Sequence, residues 1–416
     1  MYQAEAARTL LRPNAPARPQ GARLAVGRTV VFLGLTSLFT DLSSEMVAAI
    51  LPLYLVYGVG LSPLQFGVLD GVNNGAAALV RIVAGSLGDR LRRHKEIATV
   101  GYALSAATRP AFLLVGNVFS AIGGIVLVDR IGKGIRTAPR DALISLSVPA
   151  ERLGVAFGVH RALDTAGAML GPLAAFGILA LAPDSFDAVF VVSFAAAVLG
   201  VAMIVLFVQP DRRGHEVPRL TLADAVSLVS LPRFRVLVVA GTVLALATIS
   251  DAFVYLRLQH ALSFDPRYFP LLYVATASVY MLLAVPLGRL ADRIGRGRTF
   301  VGGYLVLLAT YGFLVFPLGI WTVAPVVVLF GTYYAASDGV LAAAATAALP
   351  EHARGTGLAL VSTCTGIGRL AGSIAFGAVW AFAGSGAAVL LFAGGLAVSV
   401  TLSAGLLRER REAARA

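Results

Sequence analysis

The chain has 416 residues, 58% of them hydrophobic and only 13% charged, with a formal net charge of +12. Soluble proteins carry about 25% charged residues, so a mean hydropathy of +0.82 over this length excludes a water-soluble globule and implies a polytopic membrane protein. The basic excess does not imply nucleic acid, because the arginines stand in short clusters between long apolar runs, as orientation signals do. The one cysteine, Cys364, lies in an apolar run; it reads as a small hydrophobe, and no disulfide within the chain can form.

In chain order, residues 1–28 hold Arg8, Arg12, Arg18, Arg23 and Arg28 and no apolar core. They are expected to be a cytoplasmic tail rather than a signal peptide. About 20 apolar residues suffice for a helix to cross a bilayer, and twelve segments qualify. Spans 1 to 6 cover 29–57, 63–86, 97–115, 117–138, 153–182 and 187–208. Spans 7 to 12 cover 236–258, 269–289, 298–317, 321–347, 355–383 and 386–407. The fold class is therefore all-α, with an N-terminal six-helix bundle over 29–208 and a C-terminal one over 236–407. A polar, proline-containing linker, 209–235, joins them; Leu222 to Val229 within it reads equally as loop or as a short surface helix. Residues 408–416 form a second tail.

Basic clusters recur on alternate connections. Arg90, Arg92, Arg93 and Lys95 follow span 2, and Arg212, Arg213, Arg219, Arg233 and Arg235 separate spans 6 and 7. Arg293, Arg296 and Arg298 follow span 8, and Arg408, Arg410 and Arg411 follow span 12. Both termini are therefore expected in the cytoplasm. The halves repeat each other: "GSLGDRLRR" from Gly85 and "GRLADRIGR" from Gly288 place Gly, Asp and Arg at equal offsets, 203 residues apart, and Gly167 and Gly171 recur 201 residues on as Gly368 and Gly372. Two parallel halves imply a substrate path at their interface, near the midplane.

Ionisable groups inside a bilayer are costly and normally face the bundle interior. At 1.5 Å per residue, Asp41 lies about 18 Å along span 1, near the centre of a core roughly 30 Å thick, and Glu45 follows one turn later on the same face. Two such carboxylates repel, which favours a proton on one of them; the alternative is a structural pair neutralised by an arginine from another span. In span 4, Asp129 and Lys133 are spaced i, i+4 for an ion pair, leaving Arg130 about 100° away to meet a span 1 carboxylate. Asp251 of span 7 matches Glu45 when Ser44 and Ser250 are aligned, and Asp338 lies in span 10. Structural roles are expected for Asp70, Asn73 and Asn74, for an Arg161–Asp164 pair, for Arg109 and Arg369 as counter-ions, and for Trp321 as an interfacial anchor.

The loop motifs at Gly85–Arg93 and Gly288–Arg296 resemble the signature of the major facilitator superfamily. That resemblance implies a gating role for Gly85, Asp89, Arg90 and Arg93, with Gly288, Asp292 and Arg293 as a more variable second copy. Asp89 would brace the start of span 11, and spans 1, 4, 7 and 10 would line a cavity. "DRIGKGIRTAPRDA", Asp129 to Ala142, resembles span 4 of the proton-coupled drug antiporters. Arg130 and Gly134 match, but Lys133 stands where those antiporters carry Gln. Gly167, Gly171 and Pro172 resemble their span 5 motif, in which small residues let helices approach and proline bends the span. "TDLSSEM" at Thr40–Met46 and "SDAFVYLR" at Ser250–Arg257 are similar to a bacterial branch described only as transporters. The resemblance, covering 29–407, implies a monomeric, multi-pass secondary transporter of the bacterial inner membrane, surrounded by lipid, exporting a small-molecule substrate in exchange for protons. It implies no enzyme activity, cofactor, resident metal or nucleic-acid partner. Two alternatives stand beside it. One is cargo that is a metal ion or chelate, since Asp41, Glu45, Asp251 and Asp338 offer oxygen ligands. The other is a non-transporting sensor or assembly partner. The sequence contains no Gly-rich phosphate loop ending in Lys-Ser/Thr, so ATP drive is not expected.

Overall fold

A computed structural model describes residues 27–76, 93–149, 152–209, 227–350 and 353–412, with the backbone alone for 407–412. Gly85, Asp89 and Arg90 lie outside the described residues. The chain is all-α, a multi-pass bundle of two six-span halves. In a bilayer every backbone polar group must be satisfied inside its own segment, which leaves helices as the solution for such apolar runs. Among the described residues, ten helical segments are long and apolar enough to cross a membrane. Of the other two spans, span 2 is helical over 63–76 and runs into residues outside the described ones. Span 4, Phe119–Leu146, is long enough but carries six charged side chains. Large apolar residues such as Leu206, Leu282 and Val398 are exposed, as a lipid-facing rim requires.

Most helix bounds lie within a few residues of the expected ones: Arg28–Leu53 for span 1, Leu153–Leu181 for span 5, Phe186–Phe207 for span 6 and Arg354–Ala383 for span 11. Two differ in kind. Span 4 runs eight residues past its expected end because Pro139, Arg140 and Asp141, beyond that end, continue the helix. Span 7 is broken into Pro232–Leu246 and Asp251–Leu262. The Ser250 hydroxyl caps the second piece by accepting from the Phe253 N–H at 3.4 Å, and the Tyr311 hydroxyl accepts from the freed Ile249 N–H at 2.6 Å. Span 1 ends in a π-helical turn, Tyr54–Gly58, directly after Pro52. Residues 210–226 of the linker, including most of the 222–229 segment, lie outside the described residues; from 227 on the linker holds a 3₁₀ turn, Leu228–Ser230, before span 7 begins at Pro232.

Small residues set the packing within each half. A Cβ at Gly167 or Gly171 would lie 2.3 Å from the Leu38 carbonyl oxygen or 2.9 Å from that of Leu42, so span 5 rests directly on span 1. In the second half Gly368 and Gly372 meet the Thr242 and Leu246 carbonyls at 2.8 and 2.5 Å, so span 11 rests on span 7 in the same way. In that packing register Leu38 and Leu42 correspond to Thr242 and Leu246, 204 residues on. Glu45 then corresponds to Ile249 and not to Asp251: the break in span 7 displaces the acid by two residues from the expected alignment.

The core has a directional layout. One apolar cluster joins both halves and includes Met46, Phe66, Phe253 and Phe376. Two smaller clusters belong to one half each: Leu33, Tyr102 and Ile204 in the first, and Phe234, Leu349 and Val361 in the second. The joined cluster extends to the face where span 1 ends; the separate clusters lie towards the face where span 1 begins, here called the terminal face. At the far face the backbones of spans 2 and 11 touch, since a Cβ at Gly67 would meet the Ser373 carbonyl at 2.5 Å and one at Gly377 that of Pro63 at 2.4 Å. Phe176 stacks on Tyr268 there, tying span 5 to the start of span 8. The halves are thus joined at the far face and packed on separate cores at the terminal face.

Candidate functional site

Spans 1, 4 and 5 bring a dense polar group into the middle of the first half. Four basic residues of span 4, Arg130, Lys133, Arg136 and Arg140, are spaced three, three and four residues apart, which keeps them on one side of the helix. Several mid-depth charges retain access to solvent: the side chains of Asp41, Asp164 and Arg140 are 15–17% exposed and that of Arg130 14%. Partial exposure at that depth means that these groups are not sealed in a dry core.

On the far-face side of this group, Asp129 is held by two arginines. The Arg109 Nη2 lies 3.1 Å from its Oδ1, and Arg130 pairs with its Oδ2. Arg109 also donates to the Ser43 and Ser44 hydroxyls at 3.2 and 3.0 Å. The expected pair of Asp129 with Lys133 does not form, and Arg130 is not left over for span 1, because Arg109 of span 3 brings the acid and both arginines into one triad. Lys133 instead has the carboxylates of Glu45 and Asp41 as its acidic neighbours, with no ion pair within 4 Å among the described residues.

Nearer the terminal face, Asp41 and Glu45 do not act as each other's partners. The Asp41 carboxyl adjoins that of Asp164 in span 5 and lies 3.6 Å from the Arg136 guanidinium. Asp164 also meets Arg161 at 3.1 Å, the expected i, i+3 pair, and Arg140 at 3.8 Å. Arg140 bonds Asp141 at 2.9 Å and the Ser37 hydroxyl at 3.3 Å, and Ser37 contacts His160 Nε2 at 2.9 Å. Glu45 has Lys133 of its own half and Asp251 of the other half as charged neighbours. Arg136, Arg140, His160 and Ser37 were not among the expected site residues; the even spacing of the span 4 cations was the signal for two of them.

The second half faces this group with fewer charges and more aromatic rings. At the break in span 7, Ser250 and Asp251 line a small cavity with Asn74, Tyr334, Arg369 and Ser373. Asp70 accepts from the Ser373 hydroxyl at 2.5 Å and from Asn74 at 3.3 Å, so the expected helix glue of span 2 reaches across to span 11. Asp338 is exposed and has Tyr280 and Arg369 as neighbours. In the second loop motif Asp292 pairs with Arg296 at 3.2 Å, and Arg296 donates to the Ala343 carbonyl of span 10 at 2.9 Å. Arg293 is exposed, and Gly288 has open space where a Cβ would go. Arg93, exposed, stands at the start of span 3. Trp321 is exposed at the start of span 10.

Comparison with known proteins agrees with the fold. The family model described as Major Facilitator Superfamily matches residues 33–373 and 236–416. An uncharacterised MFS-type transporter of Methanocaldococcus jannaschii is 31% identical over 365 residues, covering 85% of this chain and 89% of the relative. Among solved structures, a variant of the nucleoside transporter NupG superposes with a TM-score of 0.78 at 14% identity, covering 91% of this chain and 99% of that one. A variant of the peptide transporter POT superposes with a TM-score of 0.75 at 16% identity, covering 99% and 98%. At these identities the structural likeness is one of fold. Taken with the family match and the repeat of span 5 on span 1 by span 11 on span 7, it follows that the chain belongs to the Major Facilitator Superfamily.

Proposed function

We propose that the protein is a secondary active transporter that exports a small solute across the cytoplasmic membrane in exchange for protons. The observation that carries this reading is the group of charges at mid-depth, where Asp41 of span 1 and Arg130 of span 4 stay partly exposed. Ionisable groups at that depth are costly, and those that are kept commonly mark substrate or ion pathways. Arginine clusters on the terminal-face connections favour a cytoplasmic position for that face, so in this reading the halves keep separate cores towards the cytoplasm and pack together on the outside. Alternating access then requires the contacts of spans 2 and 11 to part as the terminal face closes.

In this reading Glu45, Lys133, Asp251 and Arg369 meet the cargo, and Asp41 carries the proton. The gate includes Asp89 and Arg90 of the first loop motif. An inward proton gradient drives Asp41 to load from outside and unload inside, while cargo moves the other way. Uptake into proteoliposomes with and without an imposed pH gradient tests the proposal, comparing wild type with Asp41→Asn and Glu45→Gln. Wild-type flux should follow the gradient. Asp41→Asn should abolish uphill movement and retain exchange between equal concentrations. Wild-type flux indifferent to the gradient would sink the proton-driven reading.

A further inference from the structure

The acid pair between spans 1 and 5 has a feature that neither carboxylate shows alone. Asp41 and Asp164 adjoin each other at mid-depth, and two carboxylates at hydrogen-bonding range are held together only when one bears a proton, since both oxygens otherwise only accept. The surrounding ion pairs indicate which one. Asp164 is approached by Arg161 and Arg140, and Arg140 is already shared with Asp141. Asp41 has one guanidinium, Arg136, at the long distance of 3.6 Å. Arg136 is almost wholly buried, its Nη1 has no hydrogen-bond partner, and it lies over the Tyr102 ring with 5.0 Å from Cζ to centroid. A buried guanidinium with an unused N–H beside a carboxyl that does not close on it fits a carboxyl that is neutral.

We propose that Asp41 and Asp164 form a single proton-binding site, with Arg136 as the waiting counter-ion. In the loaded state the Asp41 hydroxyl donates to the Asp164 carboxylate. On unloading, the proton passes to water at the partly exposed edge of the pair, the two anions repel, and Asp41 closes on Arg136. The site gains one negative charge and a span 1–span 4 ion pair in place of a span 1–span 5 hydrogen bond. Span 5 lies directly on span 1 at Gly167 and meets span 8 of the other half, so the exchange of partners acts where the halves join. The charged and titratable groups facing the pair are Lys133, Arg136, Arg140 and Asp141 from span 4, and His160 and Arg161 from span 5. Tyr102 of span 3 lies against Arg136 and near Arg140, and Tyr280 of span 8 has Arg161 as a neighbour. Span 6 meets this stretch of span 1 through Ser193 and Gly200.

This inference rests on the proton-driven reading and is tested without cargo. Infrared spectra of the purified full-length protein in detergent, recorded across pH, report un-ionised carboxylic acids by their carbonyl absorption. Wild type should show an absorption that is lost as pH rises, and Asp41→Asn should lack it. In Asp164→Asn it should disappear at a pH about one to three lower, because the facing anion is gone and Arg136 remains. In Arg136→Gln it should persist to higher pH. Opposite displacements in two variants at one site are not produced by loosened packing, and either variant alone suffices if the other does not fold. An unchanged absorption in Asp41→Asn, or the wild-type pH dependence in Asp164→Asn or Arg136→Gln, overturns the pair. If gradient-driven flux survives in wild type while the spectra fail, the site is wrong and the functional reading stands. Spectra as expected with wild-type flux indifferent to the gradient sink the reading and leave the site.

Discussion

Asp70 of span 2 and Ser373 of span 11 meet across the boundary between the halves, with the Ser373 hydroxyl donating to the Asp70 carboxylate at 2.5 Å. Around them the helix backbones touch at Gly67 and Gly377. A bond to a charged acceptor is worth about 1.5–3 kcal/mol, or roughly a ten- to hundredfold bias between two states. Ser373→Ala should shift the population by that order towards the state with the far face open. Spin labels on cysteines placed at Ser62 and Ser263, in a Cys364→Ser background, should report a longer distance in the variant. An unchanged distance distribution would remove the latch from the mechanism.

Gly167 and Gly288 should differ sharply on substitution. A Cβ at Gly167 would sit 2.3 Å from a backbone oxygen of span 1, which cannot move aside cheaply, whereas Gly288 has open space. Overpacking of this kind costs about 1–3 kcal/mol, so Gly167→Ala should lower the thermal midpoint in detergent clearly. Gly288→Ala should stay within about 0.5 kcal/mol of wild type. Equal midpoints for the two variants would contradict the packing described.

Asp129 and Lys133 are neighbours on one helix with different expected roles. Asp129→Asn would strand the buried Arg109, a kind of loss that costs about 3–5 kcal/mol, so the variant should express poorly or melt early. Lys133 lacks a close partner among the described residues, so Lys133→Met should fold and melt as wild type while transport falls by at least about tenfold, the effect of losing roughly 1.4 kcal/mol of cargo contact. Wild-type stability of Asp129→Asn would mean that the triad is not a structural clamp.

The placement of the linker can be checked by labelling. A cysteine introduced at His215, between the halves, should react with a membrane-impermeant maleimide in inverted vesicles and not in intact cells. Reaction in intact cells would reverse the orientation drawn from the arginine clusters.

Much of the fold was legible in the sequence because the bilayer imposes one local rule. Apolar runs of sufficient length must be helices, and arginine clusters bias their direction. The glycines four apart in spans 5 and 11 were legible too, as sites of close helix approach, and each pair touches the equivalent carbonyls of spans 1 and 7. Span 4 was only partly readable. Its charged end resembles a loop to a hydropathy criterion, yet Arg136 and Arg140 turn into the bundle and meet Asp41 and Asp164. The Ser-Asp step at Ser250 and Asp251 is a helix-start signal placed inside an apolar run, where it marks the break in span 7.

That this protein is a membrane bundle of two related halves, with acids and bases at mid-depth in spans 1, 4 and 7, follows from the order of residues along the chain. Which of those groups meet follows from how the helices pack. Asp129 goes to Arg109 and Arg130 rather than to Lys133, Asp41 goes to Asp164 rather than to Glu45, and Asp70 crosses to Ser373. The reason is physical. Apolarity along one chain suffices to select a helix in lipid, whereas the partner of a buried charge is set by which other helix lies within about 4 Å. That is fixed by backbone approach at a few small residues far away in sequence.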